Sequence, residues 1–388
     1  MQFICEGGIV EKKMRILLLT GSYGNGHLKV SNTLKKAFFQ HGLTDVMESD
    51  LYYDSHPLLT KASKYLYIKS FNYGKKIYGL LYYGGSRNKR FFDIDIMNNY
   101  GMKKLSGMVE KWKPDIIVNT FPMPVVPELK RKTGIQIPIV NVITDFKAHK
   151  NWIHRYIDRY YVATEDLRED LINAGIPENR VKSTGIPIEP QFEQPADRNQ
   201  LLATYGLTGQ KPVILIATGA YGVLKDIEGV IKKILENGDY QIIVICGKNE
   251  DLKNNLSAKF SENHNVRIFG YTNKMDEMMK MATVMITKPG GITLSEGLAV
   301  QVPMLLYRAV PGQELENAKY FKKKDAAIVA NRPDQLVDHV LRLIRDEQER
   351  YKLINNMKKI YSPNAADVIC EDVMALVGRK QGFSRFIS

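Results

Sequence analysis

The sequence predicts an α/β protein whose two domains each contain a doubly wound parallel sheet and face each other across a cleft. Its 388 residues are too many for one ordinary core and suit two domains of similar size. From Arg15 onward, short apolar runs alternate with longer amphipathic runs, which is typical of βαβ units. Three prolines interrupt this alternation within residues 185–197 and it restarts beyond them, so we place the linker there.

The first half of the chain is predicted to form one of the two sheets. A glycine-rich turn over 21–26 separates the first strand from a helix over 28–40, and a second helix is predicted over 165–174. The predicted strands are 15–20, 115–119, 137–142 and 160–163. No acidic residue closes a predicted second strand, as a dinucleotide-binding site would require.

The second half of the chain repeats the pattern. Its predicted strands are 213–218, 241–246, 266–269, 284–287, 304–307 and 326–330. Its predicted helices are 225–235, 293–300 and 313–323. Ligands of such sheets bind beyond the carboxyl ends of the strands. We therefore divide the chain into a disordered extension (1–13), an N-terminal Rossmann-like domain (14–190), a C-terminal Rossmann-like domain (191–365) and a C-terminal helix with a basic tail (366–388).

Cysteine usage and hydropathy argue against disulfides, a zinc site and membrane spans. The three cysteines, Cys5, Cys246 and Cys370, are far apart and have no CxxC spacing. The longest apolar runs have the length of a strand, whereas a membrane span needs about 18–20 residues. We therefore expect a protein of the reducing cytoplasm that has no bilayer-spanning segment.

The net charge of +13 is concentrated in one stretch. Residues 61–113 contain twelve Lys or Arg and three acidic residues, interleaved with aromatic rings. Such a pattern suits an anionic membrane surface, and the alternative is a solvated basic face over a core of rings. Nucleic acid is not predicted, because no RNP, zinc-finger or helix-turn-helix signature accompanies the charge. The residues proposed to contact the membrane are Lys75, Lys76, Tyr82, Tyr83, Arg87, Lys89, Arg90, Phe91 and Phe92.

Within this stretch, Asp93 and Asp95 have the DxD spacing of some metal-binding transferases. We interpret them as solvated carboxylates, since no strand is predicted before them.

The first motif with chemical potential is GSYGNGH, over 21–27, directly after a strand and at the start of a helix. Glycines let a backbone approach a ligand closely, and a helix N-terminus favours negative charge. A histidine here can remove a proton from a hydroxyl across the cleft. The alternative is that His27 only caps the turn.

Two further motifs open helices of the second domain. KPGGITLSE, over 288–296, offers free backbone amides at Gly290 and Gly291 for a diphosphate, and a carboxylate at Glu296 for ribose. The alternative is a capping box formed by Thr293 and Glu296. PGQE, over 311–314, offers an amide and a carboxylate that suit sugar hydroxyls, or only a helix start.

Together these motifs resemble the glycosyltransferase family that contains the peptidoglycan lipid glycosyltransferase, plant monogalactosyldiacylglycerol synthases and bacterial processive diacylglycerol glucosyltransferases. The resemblance covers roughly residues 14–375. It rests on GSYGNGH (21–27), NTFPM (119–123), VITDF (142–146), KPGGITLSE (288–296) and PGQE (311–314).

The resemblance implies a GT-B fold, a UDP-sugar donor held by the C-terminal domain, and no metal or other cofactor. It implies that His27 is the catalytic base, with Asp145 as the second candidate. The residues that it implies for donor binding are Gly24, Asn25 and Gly26 near the phosphates, Gly270 and Tyr271 at the uracil, Gly290, Gly291, Thr293 and Glu296 at the diphosphate and ribose, and Gln313 and Glu314 at the sugar.

The reaction implied is transfer of glucose from UDP-glucose to diacylglycerol, with inversion, and then to the glycolipid product. The resulting mono- and diglucosyldiacylglycerol are membrane glycolipids and lipoteichoic acid anchors. The resemblance also implies a peripheral protein at the cytoplasmic face of the cell membrane. The alternatives are another UDP-sugar such as UDP-galactose, a polyprenyl-linked acceptor, a UDP-sugar epimerase and a non-catalytic UDP-sugar sensor.

Overall fold

The computed structural model describes residues 13–22, 25–58, 60, 101–222, 224 and 226–384. The predictions for segment 75–92, for Asp93 and Asp95, for Gly24, for the extension before residue 13 and for the last four residues of the basic tail lie outside the described residues. The side chain of Asn25 is also outside this description.

The first domain contains a six-stranded parallel sheet of order β2-β1-β3-β4-β5-β6. β1 is buried along its length because Ile16 and Leu18 pack into one face and Leu17 and Leu19 into the other. The strands are β1 (Ile16–Thr20), β2 (Val46–Asp50), β3 (Ile116–Asn119), β4 (Ile139–Val142), β5 (Arg159–Val162) and β6 (Val181–Ser183).

Helices cover this sheet on both faces. They are α1 (Asn25–Gln40), α2 (Leu51–Ser55), α3 (Met102–Trp112), α4 (Val125–Thr133) and α5 (Glu165–Asn173). The Thr164 side chain caps α5 by accepting from Leu167 N at 3.3 Å. Short 3-10 turns lie at Lys150–Trp152, Glu178–Arg180 and Pro190–Phe192.

The second domain contains another six-stranded parallel sheet, of order β12-β11-β10-β7-β8-β9, which is the Rossmann order. The strands are β7 (Val213–Ala217), β8 (Gln241–Ile245), β9 (Val266–Phe269), β10 (Val284–Thr287), β11 (Met304–Tyr307) and β12 (Ile328–Ala330). The helices are α6 (Arg198–Thr204), α7 (Ile227–Glu236), α8 (Glu250–Lys259), α9 (Met275–Met281), α10 (Gly291–Val300), α11 (Gln313–Lys323), α12 (Pro333–Arg345) and α13 (Glu347–Ile360).

The last helix, α14 (Ala365–Ser384), returns to the first domain and packs against α1. Ile369 and Val373 are fully buried in the same cluster as Leu34. Tyr161 donates to Asp372 Oδ2 at 2.9 Å, which fixes the helix to β5. The chain therefore crosses between the domains twice, once before α6 and once before α14.

The structure corrects one argument from the sequence. A second strand, β2, is present and it does end in an acidic residue, Asp50. Its carboxylate is occupied locally, because it accepts from Ser22 N at 2.9 Å and Tyr53 N at 3.1 Å. Asp50 thus holds the chain at Ser22, directly after β1, and caps α2. Helix starts also differ: the helix predicted to begin at 293 begins at Gly291, and that predicted at 28 begins at Asn25.

Three observations concern the described part of the chain only. No helix there is long and apolar enough to cross a membrane. No group of three or more His, Cys, Asp or Glu side chains there is arranged to hold a metal ion. Cys246 and Cys370 are buried free thiols.

Candidate active site

The carboxyl ends of both sheets meet at one interdomain site. In the first sheet β1 lies between β2 and β3, and in the second β7 lies between β8 and β10. The order of the strands therefore reverses direction at β1 in the first sheet and at β7 in the second. Ligands of open α/β sheets bind at such points. The segment after β1 opens α1, and the segment after β10 opens α10. A Cβ on Gly26 would lie 3.2 Å from Ile292 Cγ1, so the two helix starts lie against each other.

His27 is the third residue of α1, and the end of β3 holds its ring. Its Nδ1 lies 2.7 Å from Thr120 O and 3.1 Å from Thr144 Oγ1. A carbonyl oxygen only accepts hydrogen bonds, so Nδ1 carries the hydrogen and Nε2 keeps a lone pair in the neutral ring. Phe121 packs edge-on against the ring at 4.8 Å between centroids.

Burial keeps this imidazole neutral. It lowers the pKa of His27 from 6.5 to about 4, although the contact with Thr120 O opposes the change. A ring that is neutral at physiological pH is ready to accept a proton. The alternative that His27 only caps a turn does not fit, since its contacts are with the ends of neighbouring strands rather than with its own turn.

Asp145 lies beyond the end of β4, one residue after Thr144, and is 5% exposed. Gln313 Nε2 donates to its Oδ1, and Asn317 Nδ2 donates to the same atom at 3.1 Å. Burial raises the pKa of Asp145 from 3.8 to about 6, and these two amides oppose the rise. Both amides come from α11 of the second domain, so Asp145 joins the two walls of the cleft.

Asn317 is a further residue of this network that the sequence reasoning missed. It is fully buried, accepts from Phe146 N at 3.0 Å, and donates to Pro289 O at 3.1 Å as well as to Asp145. It lies four residues after Gln313 on α11, so the same helix face presents both amides. The four-residue spacing between Gln313 and Asn317 is the sequence feature that could have identified Asn317.

The start of α10 allows a ligand or a neighbouring backbone to come close to its first-turn amides. Gly290 is its N-cap and no side chain caps the helix, so the first-turn amides are available to a ligand. A Cβ on Gly291 would lie 2.0 Å from Thr144 O, which only glycine avoids. The capping-box alternative is wrong, because Thr293 lies inside the helix rather than at its N-cap. Glu296 is one turn further on, is 2% exposed, and pairs with Lys29 Nζ at 2.9 Å.

The start of α11 presents the PGQE segment. Its N-cap, Gly312, has φ 101° and ψ −139°, a conformation that is restricted to glycine. Gln313 reaches Asp145 as described, whereas Glu314 turns to its own loop. The Glu314 carboxylate accepts from Val310 N at 3.0 Å and lies 3.8 Å from Lys288 Nζ. In this structure Glu314 therefore supports the loop before α11.

Gly270 and Tyr271 follow β9, at the far edge of the second sheet. The Tyr271 ring is 53% exposed, and Lys248 Nζ lies 5.7 Å from its centroid. β9 is three strands from β10, which corresponds to about 14 Å at ~4.8 Å per strand. The role of Gly270 and Tyr271 at the uracil, which the resemblance implies, stays a prediction.

The structure thus brings His27, Asp145, Gly291 and Gln313 to one place, and it adds Lys29, Thr120, Thr144 and Asn317. Thr120 and Thr144 follow strands within the NTFPM and VITDF segments, where position at a strand end was the available signal.

Comparison with known proteins decides the family. A model of the monogalactosyldiacylglycerol (MGDG) synthase family matches residues 27–188, and a glycosyltransferase family 28 C-terminal domain model matches residues 213–369. The processive diacylglycerol beta-glucosyltransferase of Bacillus subtilis (strain 168) is 44% identical over 363 residues, which cover 93% of this chain and 94% of that protein. This chain belongs to the processive diacylglycerol beta-glucosyltransferase family.

Solved structures confirm the predicted GT-B fold of this family member. The S. aureus MnaA-UDP co-structure superposes with a TM-score of 0.63 at 14% identity, covering 94% of this chain and 97% of that one. Acinetobacter baumannii MurG superposes with a TM-score of 0.59 at 15% identity, covering 94% and 99%. At these identities the likeness concerns the fold alone.

Proposed function

We propose that the protein transfers glucose from UDP-glucose to the hydroxyl of diacylglycerol and then to the glycolipid product, with inversion and without a metal. Family membership supports the reaction class and the acceptor. The structural observation that carries the proposal is that His27, held through Nδ1, directly follows Gly26, which lies against Ile292 in the uncapped first turn of α10.

His27 is the proposed base. Its Nε2 accepts the proton of the acceptor hydroxyl while that oxygen forms a bond to the anomeric carbon and the bond from this carbon to UDP breaks. The anomeric carbon acquires oxocarbenium character, as in glycoside hydrolysis. A neutral imidazole with a low pKa is a weak base, and the incoming diphosphate raises that pKa because its charge stabilises the imidazolium.

Asp145 is better suited to positioning. Two amides from α11 already use Oδ1, so the carboxylate fixes Gln313 with its Nε2 toward Asp145. The Gln313 carbonyl oxygen then remains to accept from a sugar hydroxyl.

The leaving diphosphate gains negative charge as the bond to the sugar breaks. The amides of Gly291 and its neighbours at the start of α10 provide fixed partial positive charge for it. This is the role that a metal ion has in other transferases, and it supports the proposal that none is needed. Activity should therefore persist in the presence of EDTA.

The protein is further proposed to act at the cytoplasmic face of the cell membrane, with segment 75–92 on anionic lipid. Replacing Arg87, Lys89 and Arg90 by Ala should reduce sedimentation with vesicles that contain anionic lipid, and leave UDP binding unchanged. Equal sedimentation of wild type and the triple variant would contradict the proposed membrane contact.

The decisive experiment is mass analysis of lipids after incubation with diacylglycerol vesicles and one UDP-sugar at a time. We expect mono- and dihexosyl diacylglycerol with UDP-glucose, and free UDP in matching amount. Conversion of UDP-sugars without lipid would indicate an epimerase instead. Binding of UDP-sugar without any UDP release would indicate a sensor.

A further inference from the structure

A partly buried ion pair connects the two walls of the cleft next to the proposed base. Lys29 Nζ of α1 lies 2.9 Å from Glu296 Oε1 of α10. The Lys29 side chain is 38% exposed, whereas that of Glu296 is only 3% exposed. Lys29 follows His27 by two residues, so the first domain supplies a cation to a carboxylate deep in the second.

Glu296 needs a cationic partner where it lies. Burial raises the pKa of Glu296, Lys29 opposes that rise, and the carboxylates of Glu189 and Asp276 add to it. Each of those two carboxylates forms an ion pair with a different lysine, since Lys36 Nζ lies 3.0 Å from Glu189 and Lys280 Nζ lies 3.4 Å from Asp276.

The pair also stabilises the charge on Lys29. Burial lowers the pKa of Lys29, but Glu296, with smaller contributions from Glu189 and the Tyr271 phenol, raises that pKa above its ordinary value on balance. Each partner of the pair thus stabilises the charged form of the other across 2.9 Å. Removing the lysine would leave a buried carboxylate without its countercharge, and such a group takes up a proton instead.

We propose that Lys29 is a positioning residue that keeps the Glu296 carboxylate ionised and oriented for the ribose hydroxyls of the donor. This deepens the proposed function, on which the ribose role of Glu296 rests. An ionised carboxylate can accept hydrogen bonds from both hydroxyls of a ribose. A protonated carboxyl group carries an O–H donor on one oxygen, so that oxygen accepts less readily. Lys29 contacts Oε1, and Oε2 offers further acceptor positions. The donor site is complete only when both domains contribute to it.

The test is UDP binding by calorimetry from about pH 6 to about pH 9, a range that covers the pKa of a buried unpaired glutamate. Lys29→Met keeps the length of the side chain and removes its charge. We expect its UDP affinity to be about tenfold lower at neutral pH and to recover as the pH rises, because Glu296 regains its charge. Wild type and Lys29→Arg should show little change over the same range.

Lys36→Met is the matched control. Lys36 lies seven residues after Lys29 on α1 and forms an ion pair with Glu189, but its side chain is 59% exposed. Exposed pairs contribute little, so this variant should follow wild type. In the double variant Lys29→Met/Glu296→Gln, the pH dependence should disappear, because no carboxylate remains to titrate.

A loss of UDP affinity that is equal at every pH would show a merely structural role for Lys29 and overturn the proposal, as would unchanged affinity in Lys29→Met. A pH dependence that persists in the double variant would overturn it too. Since the probe is UDP alone, intact UDP binding without glycolipid product would contradict only the proposed function.

Discussion

The two walls of the cleft use different chemistry. The first domain presents side chains at strand ends, where burial lowers the pKa of His27 and raises that of Asp145. The second domain presents mainly backbone at the start of α10, where Gly290 and Gly291 leave the amides open. In the proposed reaction, a proton is moved on the first wall and a diphosphate is held on the second. Substitutions that remove a functional side chain should therefore impair the first wall. On the second wall, the informative substitutions are those that add a side chain beside the exposed backbone.

The largest effect should come from removing the imidazole. We expect His27→Ala to lower kcat by about 10²- to 10⁴-fold, because general base catalysis is lost, and to leave the UDP dissociation constant nearly unchanged. Steady-state kinetics and UDP calorimetry measure the two effects separately.

His264→Ala is a suitable control for this variant, since His264 is exposed in the second domain. It should behave as wild type. Full turnover by His27→Ala would show that the base lies elsewhere on the first wall, with Asp145 the next residue to test.

On the second wall, adding one methyl group should matter at one glycine and not at its neighbour. A Cβ at Gly291 would lie 2.0 Å from Thr144 O, whereas a Cβ at Gly290 would meet nothing within 4 Å. We expect Gly291→Ala to cost about 1–3 kcal/mol, as reduced stability or, if the domains open, as weaker UDP binding. Gly290→Ala should change stability by less than about 0.5 kcal/mol. Urea denaturation and UDP calorimetry test this, and equal behaviour of the two variants would contradict it.

The two titratable groups of the first wall should affect stability with opposite dependence on pH. The pKa of His27 is lowered from 6.5 to about 4, so its contribution is lost as pH falls through this range. The pKa of Asp145 is raised from 3.8 to about 6, so its contribution is lost as pH rises. Between ~pH 7 and ~pH 4.5, the stability of His27→Gln relative to wild type should rise and that of Asp145→Asn should fall, each by about 1–3 kcal/mol. Urea denaturation at both pH values measures this, and changes of the same sign would refute it.

Sequence reasoning predicted the buried strands well and missed the polar ones. β10 and β11 have the predicted ends, because fully buried, mainly apolar runs between turns leave little choice. β9, with the sequence VRIF, was also predicted with the correct ends, although it is an edge strand and three of its four residues are only partly buried. β2, with the sequence VMESD, was missed since it is an edge strand whose residues are only partly buried. The short edge strand β6, VKS, was missed for the same reason.

The candidate site was predictable where local sequence determines it. A glycine turn between a strand and a helix marks a helix start at a sheet end, which is how His27 and Gly291 were found. Contacts between the domains were not predictable. Lys29 and Glu296 are 267 residues apart, and only the relative placement of the two sheets brings them together. Local spacing also misled: Thr293 and Glu296 have capping-box spacing, but the helix begins two residues earlier.

The smallest effect tests whether the second wall leaves its helix start open. If Thr293 were an N-cap, Thr293→Ala would cost about 1 kcal/mol of stability. Because the N-cap is Gly290, we expect less than about 0.5 kcal/mol in urea denaturation without ligand. Asp197→Ala is the positive control, since Asp197 Oδ1 caps α6 by accepting from Asn199 N at 2.8 Å and Gln200 N at 3.2 Å, and its loss should cost about 1 kcal/mol. Equal losses in the two variants would mean that a side chain already occupies the amides at α10, and the diphosphate would then need another partner on this wall.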